Sequence, residues 1–169
     1  MTITAPQKTA PASPSLQPTG WLRYLSFSVD HKVIGLQYLV CGFAFYLVGG
    51  AMAGAIRTEL LSPVSDFMAR DVYNQILTLH GTVMIFLWIV PVVNGAFGNY
   101  LIPFYVGARD MAYPRLNAVA FWLIPPAGLM LISSYFITGA AQSGWTAYPP
   151  LSITTPATGQ IIWILSVLL

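Results

Sequence analysis

Charged side chains are scarce in this chain of 169 residues: Asp, Glu, Lys and Arg make up 7% of it, against 56% hydrophobic residues. A soluble domain carries about a quarter charged residues, so the solvent implied by this composition is lipid. The formal net charge of +2 is too small to argue for a nucleic-acid partner. Cysteine occurs once, at Cys41, which rules out an internal disulfide or a cysteine metal cluster. That thiol sits in an apolar run and reads as a small hydrophobe. The first twenty residues also lack an apolar run and so do not read as a signal peptide. Their Thr, Ala, Pro, Ser and Gln content reads as a disordered, polar tail, taken here to extend over residues 1–29.

What the chain has is long uncharged stretches. A helix needs about 20 apolar residues to cross about 30 Å of hydrocarbon. Residues 33–56 are uncharged between Lys32 and Arg57 and form a first span. Gly50 and Gly54 within it are a small-xxx-small pair, suited to a close helix neighbour or simply facing lipid. Residues 72–108 are uncharged between Asp71 and Arg109, too long for one straight span. With Asn99 and Pro103 marking its inner end, the second helix is predicted over 74–102. A third is predicted over 117–137, followed by a Gly, Pro, Ser and Thr-rich loop whose Trp145 and Tyr148 suit a membrane interface. An apolar run restarts near residue 160 and reaches Leu169, a helical rise of about half a bilayer. Such a segment is expected to be the start of a fourth span in a longer chain. The predicted class is therefore all-α, a polytopic transmembrane helix bundle.

Basic residues orient the bundle. Arg23 and Lys32 precede the first span, and Arg109 and Arg115 separate the second from the third. Arg57 and Arg70 lie on the other side, and no charge follows the third span. The bias favours a cytoplasmic amino terminus.

His80, within Leu77-Thr78-Leu79-His80-Gly81-Thr82, is an ionisable group inside the second span. From a helix start at Asn74 it lies about 9 Å below the outer surface. Ionisable groups at membrane depth are costly and usually face a site. An imidazole there can ligate haem iron, hydrogen-bond another helix or relay protons. Gly81 and Thr78 leave space for a flat macrocycle. Arg57, expected at nearly the same depth, can donate to a carbonyl or carboxylate of such a group or serve as a snorkelling anchor. Asp110 falls on the inner side, flanked in sequence by Asn99 and Asn117. It can gather protons at a mouth where carboxamides hold water, or pair with Arg109 or Arg115. Trp88 reads as packing and His31 as a solvated juxtamembrane residue. Glu59, Asp66 and Asp71 share an outer loop that could offer oxygens to a hard cation.

Five collinear stretches together resemble one family. DHKVIGLQYL (30–39) and IRTEL (56–60) are similar to the start and end of the first helix of haem-copper respiratory oxidase subunit I. LTLHGTVMIF (77–86) resembles its low-spin haem ligand motif, FGNYLIPFYVGARDMAYPRLNAVAFW (97–122) its turn between the second and third helices, and GWTAYPPL (144–151) the loop before the fourth. The branch looks like the cytochrome c oxidases of bacteria and mitochondria, with cyanobacterial character. The resemblance covers about residues 30–151.

It implies that this chain is the first three helices, and the start of a fourth, of a subunit with about twelve. It implies an enzyme that oxidises cytochrome c, reduces oxygen to water and pumps protons, with a quinol oxidase as the alternative. A haem-free proton-coupled transporter would explain the spans but not the motifs. His80 matches an axial ligand of low-spin haem A, and Arg57 the arginine bonded to a haem substituent. Tyr73 and Trp145 match residues near that haem. Asp110 matches the mouth of a proton-uptake path, and Asn99 and Asn117 the asparagines just inside it. Glu59 matches a peripheral calcium or sodium ligand. A second haem and copper, oxidase subunits II and III, cytochrome c or a similar donor, and a bacterial plasma or thylakoid membrane are likewise implied. Ala118 departs from the pattern where a second asparagine often stands, and Asn94 occupies a place where an apolar residue is expected.

Overall fold

The computed structural model describes residues 20–64, 67–137 and 139–169. The regular elements among those residues are all helices, with no strand among them. Helix α1 (His31–Glu59) starts where the Asp30 side chain accepts from Lys32 N at 2.9 Å, an acidic N-cap. Helix α2 runs without a break over Arg70–Val106, through α-helical Arg70–Thr82, two π-helical segments at Val83–Ile89 and Pro91–Phe97, and α-helical Gly98–Val106. Helix α3 (Pro114–Ile137) opens on proline, whose missing N–H costs nothing at that position. A single turn at Leu151–Thr154 leads into α4 (Ala157–Leu168). Helices α1, α2 and α3 are each long and apolar enough to cross a membrane.

Helix α2 extends past its predicted inner end. At 37 residues it is about 55 Å long, well beyond the roughly 30 Å of hydrocarbon, so its ends pass the membrane core or the helix tilts. Pro91 cannot donate, and its ring crowds the carbonyl four residues back; the wide π turns around it absorb both effects. Asn99 and Pro103 lie inside the helix. The stop comes at Gly107, whose φ of 69° is the left-handed conformation glycine adopts freely. Gly107 N donates to Phe104 O at 3.3 Å and Ala108 N to Pro103 O at 2.9 Å, closing the last carbonyls in a Schellman arrangement.

Most of the predicted tail, residues 1–19, lies outside the described residues. Its remainder is folded: Gly20–Leu25 forms a 3-10 turn. The turn is held because the Gln37 side-chain amide donates to Tyr24 O at 3.0 Å and to Ser26 O at 2.9 Å, satisfying carbonyls that tertiary contact would otherwise strand.

Two apolar clusters form the core. Ile34, Tyr38, Ala96, Ala118 and Phe121 join α1, α2 and α3 near the beginning of α1. Phe45, Leu79, Val83, Leu87, Leu131 and Trp163 join all four helices near the other end. The α1–α3 approach depends on Gly128, where an added Cβ would enter the Phe45 ring. Trp163 reaches α2 by donating its indole N–H to Thr82 Oγ1 at 2.9 Å.

Candidate functional site: an intramembrane histidine and a distant carboxylate mouth

Helix α2 begins at Arg70, one turn earlier than predicted, so His80 lies about 15 Å along it rather than 9 Å. Its Nδ1 is 2.9 Å from Gly49 O on α1. A carbonyl only accepts, so Nδ1 carries the proton in this bond. This is the arrangement that orients a metal-ligating imidazole through its far nitrogen. The helices must be close for this bond to form. A Cβ on Gly49 would sit 2.6 Å from Met84 Sδ and 3.3 Å from Val83 Cγ1.

The room beside the imidazole is not where Thr78 and Gly81 suggested. Thr78 is buried and its Oγ1 accepts from Gly144 N at 2.9 Å; Gly81 faces Trp145, whose Cδ1 is 3.8 Å from an added Cβ. On α1, Cβ atoms on Gly50 and Gly54 would meet nothing within 4 Å, so both face open space. Arg57 continues that stripe at i+7 from Gly50 and is exposed. Its backbone lies about 12 Å beyond Gly49 along the helix. Tyr73, half-buried, precedes His80 by two turns on the same face of α2. Trp145 packs edge-on against Phe86 with centroids 6.1 Å apart. Its loop is tied to α2 by the Gly144–Thr78 bond and by Ala140 N donating to Gln75 Oε1 at 3.1 Å. The imidazole Nε2 has no hydrogen-bond partner among the described residues, and a nitrogen so placed fits an iron-bearing macrocycle.

Trp88 is a packing residue, its ring 4.9 Å from that of Tyr46 on α1. Glu59 Oε2 accepts from Met68 N at 3.0 Å, clasping the outer loop. Asp66 lies outside the described residues. Among the described residues no three His, Cys, Asp or Glu side chains gather as a metal site.

Asp110 lies at the opposite end of α1. His31, the first residue of that helix, is buried at 6% exposure and not solvated as predicted. Its Nδ1 is 3.1 Å from Asp110 Oδ1, which also accepts from Met111 N at 2.7 Å. Asp110 thus pairs with His31 rather than with Arg109 or Arg115 among the described residues. Val29, Asp30, Lys32 and Arg109 complete a polar mouth of about 330 Å3 around the pair. Nearby, Asn117 Nδ2 donates to Asn99 Oδ1, and Asn99 Nδ2 donates to Gly95 O at 2.7 Å. Asn99 is buried, so this ladder carries carboxamide dipoles into the bundle. Ala118 is fully enclosed in the apolar cluster, and Asn94 is exposed on α2.

From His31 to Gly49 along α1 is about 27 Å. The imidazole of His80 and the carboxylate of Asp110 are therefore anchored about 27 Å apart along one helix. His31 and Gly49 were missed by sequence reasoning. Each acts through a contact to a residue far along the chain, and only the acidic Asp30 cap beside His31 hinted at a structured start.

The fold defines a polytopic helical membrane protein in which a histidine and a carboxylate contact one helix at points about 27 Å apart. Residues 33–169 match the family model Cytochrome C and Quinol oxidase polypeptide I, and the chain belongs to that family. Cytochrome c oxidase subunit 1 of Thermostichus vulcanus is 61% identical over 149 residues, which cover 88% of this chain and 27% of the relative. The protein of the same description from Synechocystis sp. matches at 61% over the same shares. That from Corynebacterium efficiens is 40% identical over 177 residues, 99% of this chain and 30% of the relative. The chain thus spans about a quarter to a third of the length of these relatives.

Proposed function

We propose that the chain is the N-terminal part of the catalytic subunit of a terminal oxidase that oxidises cytochrome c, reduces oxygen to water and pumps protons. The observation that carries this reading is the His80 imidazole, fixed through Nδ1–H to Gly49 O and free at Nε2 in a membrane-length helix of this family. His80 would hold low-spin haem A, which when bound supplies one-electron transfer. Arg57 would donate to a substituent at its edge, and Tyr73 and Trp145 would wall its sides. The oxygen-reducing haem and copper would be held by the rest of the subunit.

Asp110 would take protons from the aqueous side, with His31 holding its carboxylate in place. Asn99 and Asn117 would order the water that leads inward, since each keeps amide capacity beyond the bonds they make. Glu59 would contribute to a peripheral calcium or sodium site. Partners would be oxidase subunits II and III and cytochrome c, in a bacterial plasma or thylakoid membrane with the amino terminus cytoplasmic. The matched family description includes quinol oxidases. A two-copper domain in the partner subunit selects cytochrome c, and its absence selects quinol.

The test uses the full complex. His80→Ala abolishes the low-spin haem spectrum, and an unchanged spectrum defeats the ligand role. Asp110→Asn slows proton uptake, and full pumping in that variant defeats the uptake role.

A further inference from the structure

The face of α2 that points away from His80 carries a row of hydrogen bonds. Gln75, Thr78 and Thr82 recur at i, i+3 and i+7 and so share one side of the α-helical segment Arg70–Thr82. Each accepts a proton from outside the helix. Ala140 N donates to Gln75 Oε1 at 3.1 Å, Gly144 N to Thr78 Oγ1 at 2.9 Å, and Trp163 Nε1 to Thr82 Oγ1 at 2.9 Å. The two hydroxyls donate their own protons back into the helix, Thr78 to Asn74 O and Thr82 to Thr78 O, both at 2.8 Å. Those back-bonds fix where the accepting lone pairs point. Thr78 and Thr82 are each 1% exposed, so water does not compete for the incoming donors.

The far ends of these bonds are anchored as well. Trp163 belongs to α4, and residues 139–147 form a strap between α3 and that helix. Ser143 Oγ donates to Gln160 Oε1 on α4 at 3.0 Å. Ala140 and Ala141 are fully enclosed. Ala147 takes a φ of 53°, a left-handed conformation that is costly for an L residue and persists where the surroundings hold it. Its N–H closes the turn onto Gly144 O at 3.2 Å. At about 100° per residue, the centre of the Gln75–Thr78–Thr82 row lies nearly opposite His80, whose Nδ1 donates across the other side to Gly49 O. Directly after Thr82 the helix widens into π turns, so its 3.6-residue register is not carried into the rest of α2. Apolar packing tolerates some rotation of such a segment, whereas hydrogen bonds of fixed direction do not.

We propose that Gln75, Thr78 and Thr82 are positioning residues for His80, acting from the back of the helix. Their bonds to the strap and to α4 set the rotation of the Arg70–Thr82 segment, and that rotation sets the plane and direction of the imidazole. The inference rests on the reading of His80 as a haem ligand.

The test is Thr78→Val in the full complex, a change that keeps the branched shape and removes the acceptor. Hydrogen exchange at the Gly144 amide speeds up about fivefold, the scale of one lost hydrogen bond. The electron paramagnetic resonance signal of the oxidised low-spin haem depends on the plane of its axial imidazole, and it shifts or splits in two. Thr78→Ser restores the acceptor and returns both readouts to those of the wild type. Gln75→Met removes another rung without touching the enclosed threonines and moves the same resonance; it carries the test should Thr78→Val fail to assemble. A wild-type resonance in Thr78→Val and Gln75→Met overturns the proposal, as does a shift that Thr78→Ser does not reverse. His80→Ala tells two failures apart. A low-spin signal that survives in it sinks the ligand reading and the positioning role together. Loss of the signal there, with an unmoved resonance in the other variants, sinks the positioning role alone.

Discussion

The substitution Gly49→Ala tests whether the His80 imidazole is positioned by helix contact. The added Cβ would fall 2.6 Å from Met84 Sδ, 3.2 Å from Met84 Cγ and 3.3 Å from Val83 Cγ1. Carbon contacts are comfortable at about 3.5–4.0 Å, so the methionine must move by about 1 Å and the valine by a few tenths. Met84 is flexible and half-buried and yields; Val83 is fully buried and β-branched and does not. Helix α2 must back away from α1, at an overpacking cost of about 1–3 kcal/mol. The Nδ1–O distance of 2.9 Å lengthens with it. Loss of such an outer partner typically weakens a metal site about 10- to 100-fold. The expected outcome in the full complex is faster loss of low-spin haem and a shifted absorption band. The double variant Gly49→Ala/Met84→Ala restores part of both, because trimming Met84 removes the closest clash. Unaltered haem retention in the single variant, or no recovery in the double, refutes the chain of reasoning from helix spacing to imidazole orientation.

His31→Ala removes the donor 3.1 Å from Asp110 Oδ1 and slows proton uptake by no more than about tenfold, the scale of one charge-assisted hydrogen bond at a partly exposed carboxylate. His31→Gln recovers part of the rate in stopped-flow uptake measurements; equal rates in all three proteins would show that His31 does not position Asp110. Ala118→Asn puts a carboxamide into the fully enclosed cluster with Ile34, Tyr38, Ala96 and Phe121 and destabilises the protein by about 1–3 kcal/mol. Thermal unfolding that is unchanged would mean the new side chain finds the Asn99–Asn117 ladder.

The helices were legible because lipid demands long uncharged runs, and few other sequences produce them. The separation of His80 from Asp110 was legible for the same reason: charge marks the ends of spans, and an imidazole inside one stands out. Depth was less legible. The start of α2 was read from Asn74, but Arg70 and Asp71 already lie in the helix, and this placed His80 one turn too near the helix start. The inner end was misplaced because Asn99 and Pro103 are residues that usually stop helices, whereas here π turns and the Asn99–Gly95 bond carry the helix through to Gly107. Space beside His80 was sought at Thr78 and Gly81, its sequence neighbours. Gly50 and Gly54 on α1 face open space while Gly42 and Gly49 receive α2 side chains, and no local pattern reports which glycines do which.

The least legible element is also the one that connects the two sites. His31, Ile34, Tyr38, Gly42, Phe45 and Gly49 recur every three or four residues and form the buried stripe of α1. The stripe begins on Asp110 and ends on His80, with α2 and α3 packed against it between. A straight helix of fixed rise is stiff, so it holds the carboxylate mouth and the imidazole about 27 Å apart as one unit. The Gly128–Phe45 contact fixes the rotation of this rod against α3, and the Gly49–Met84 contact fixes it against α2. Turning α1 by one residue, about 100°, would take both His31 and Gly49 off their partners at once. The spacing of that stripe, rather than the local sequence around either residue, is what places the Asp110 carboxylate and the His80 imidazole far apart along the bundle.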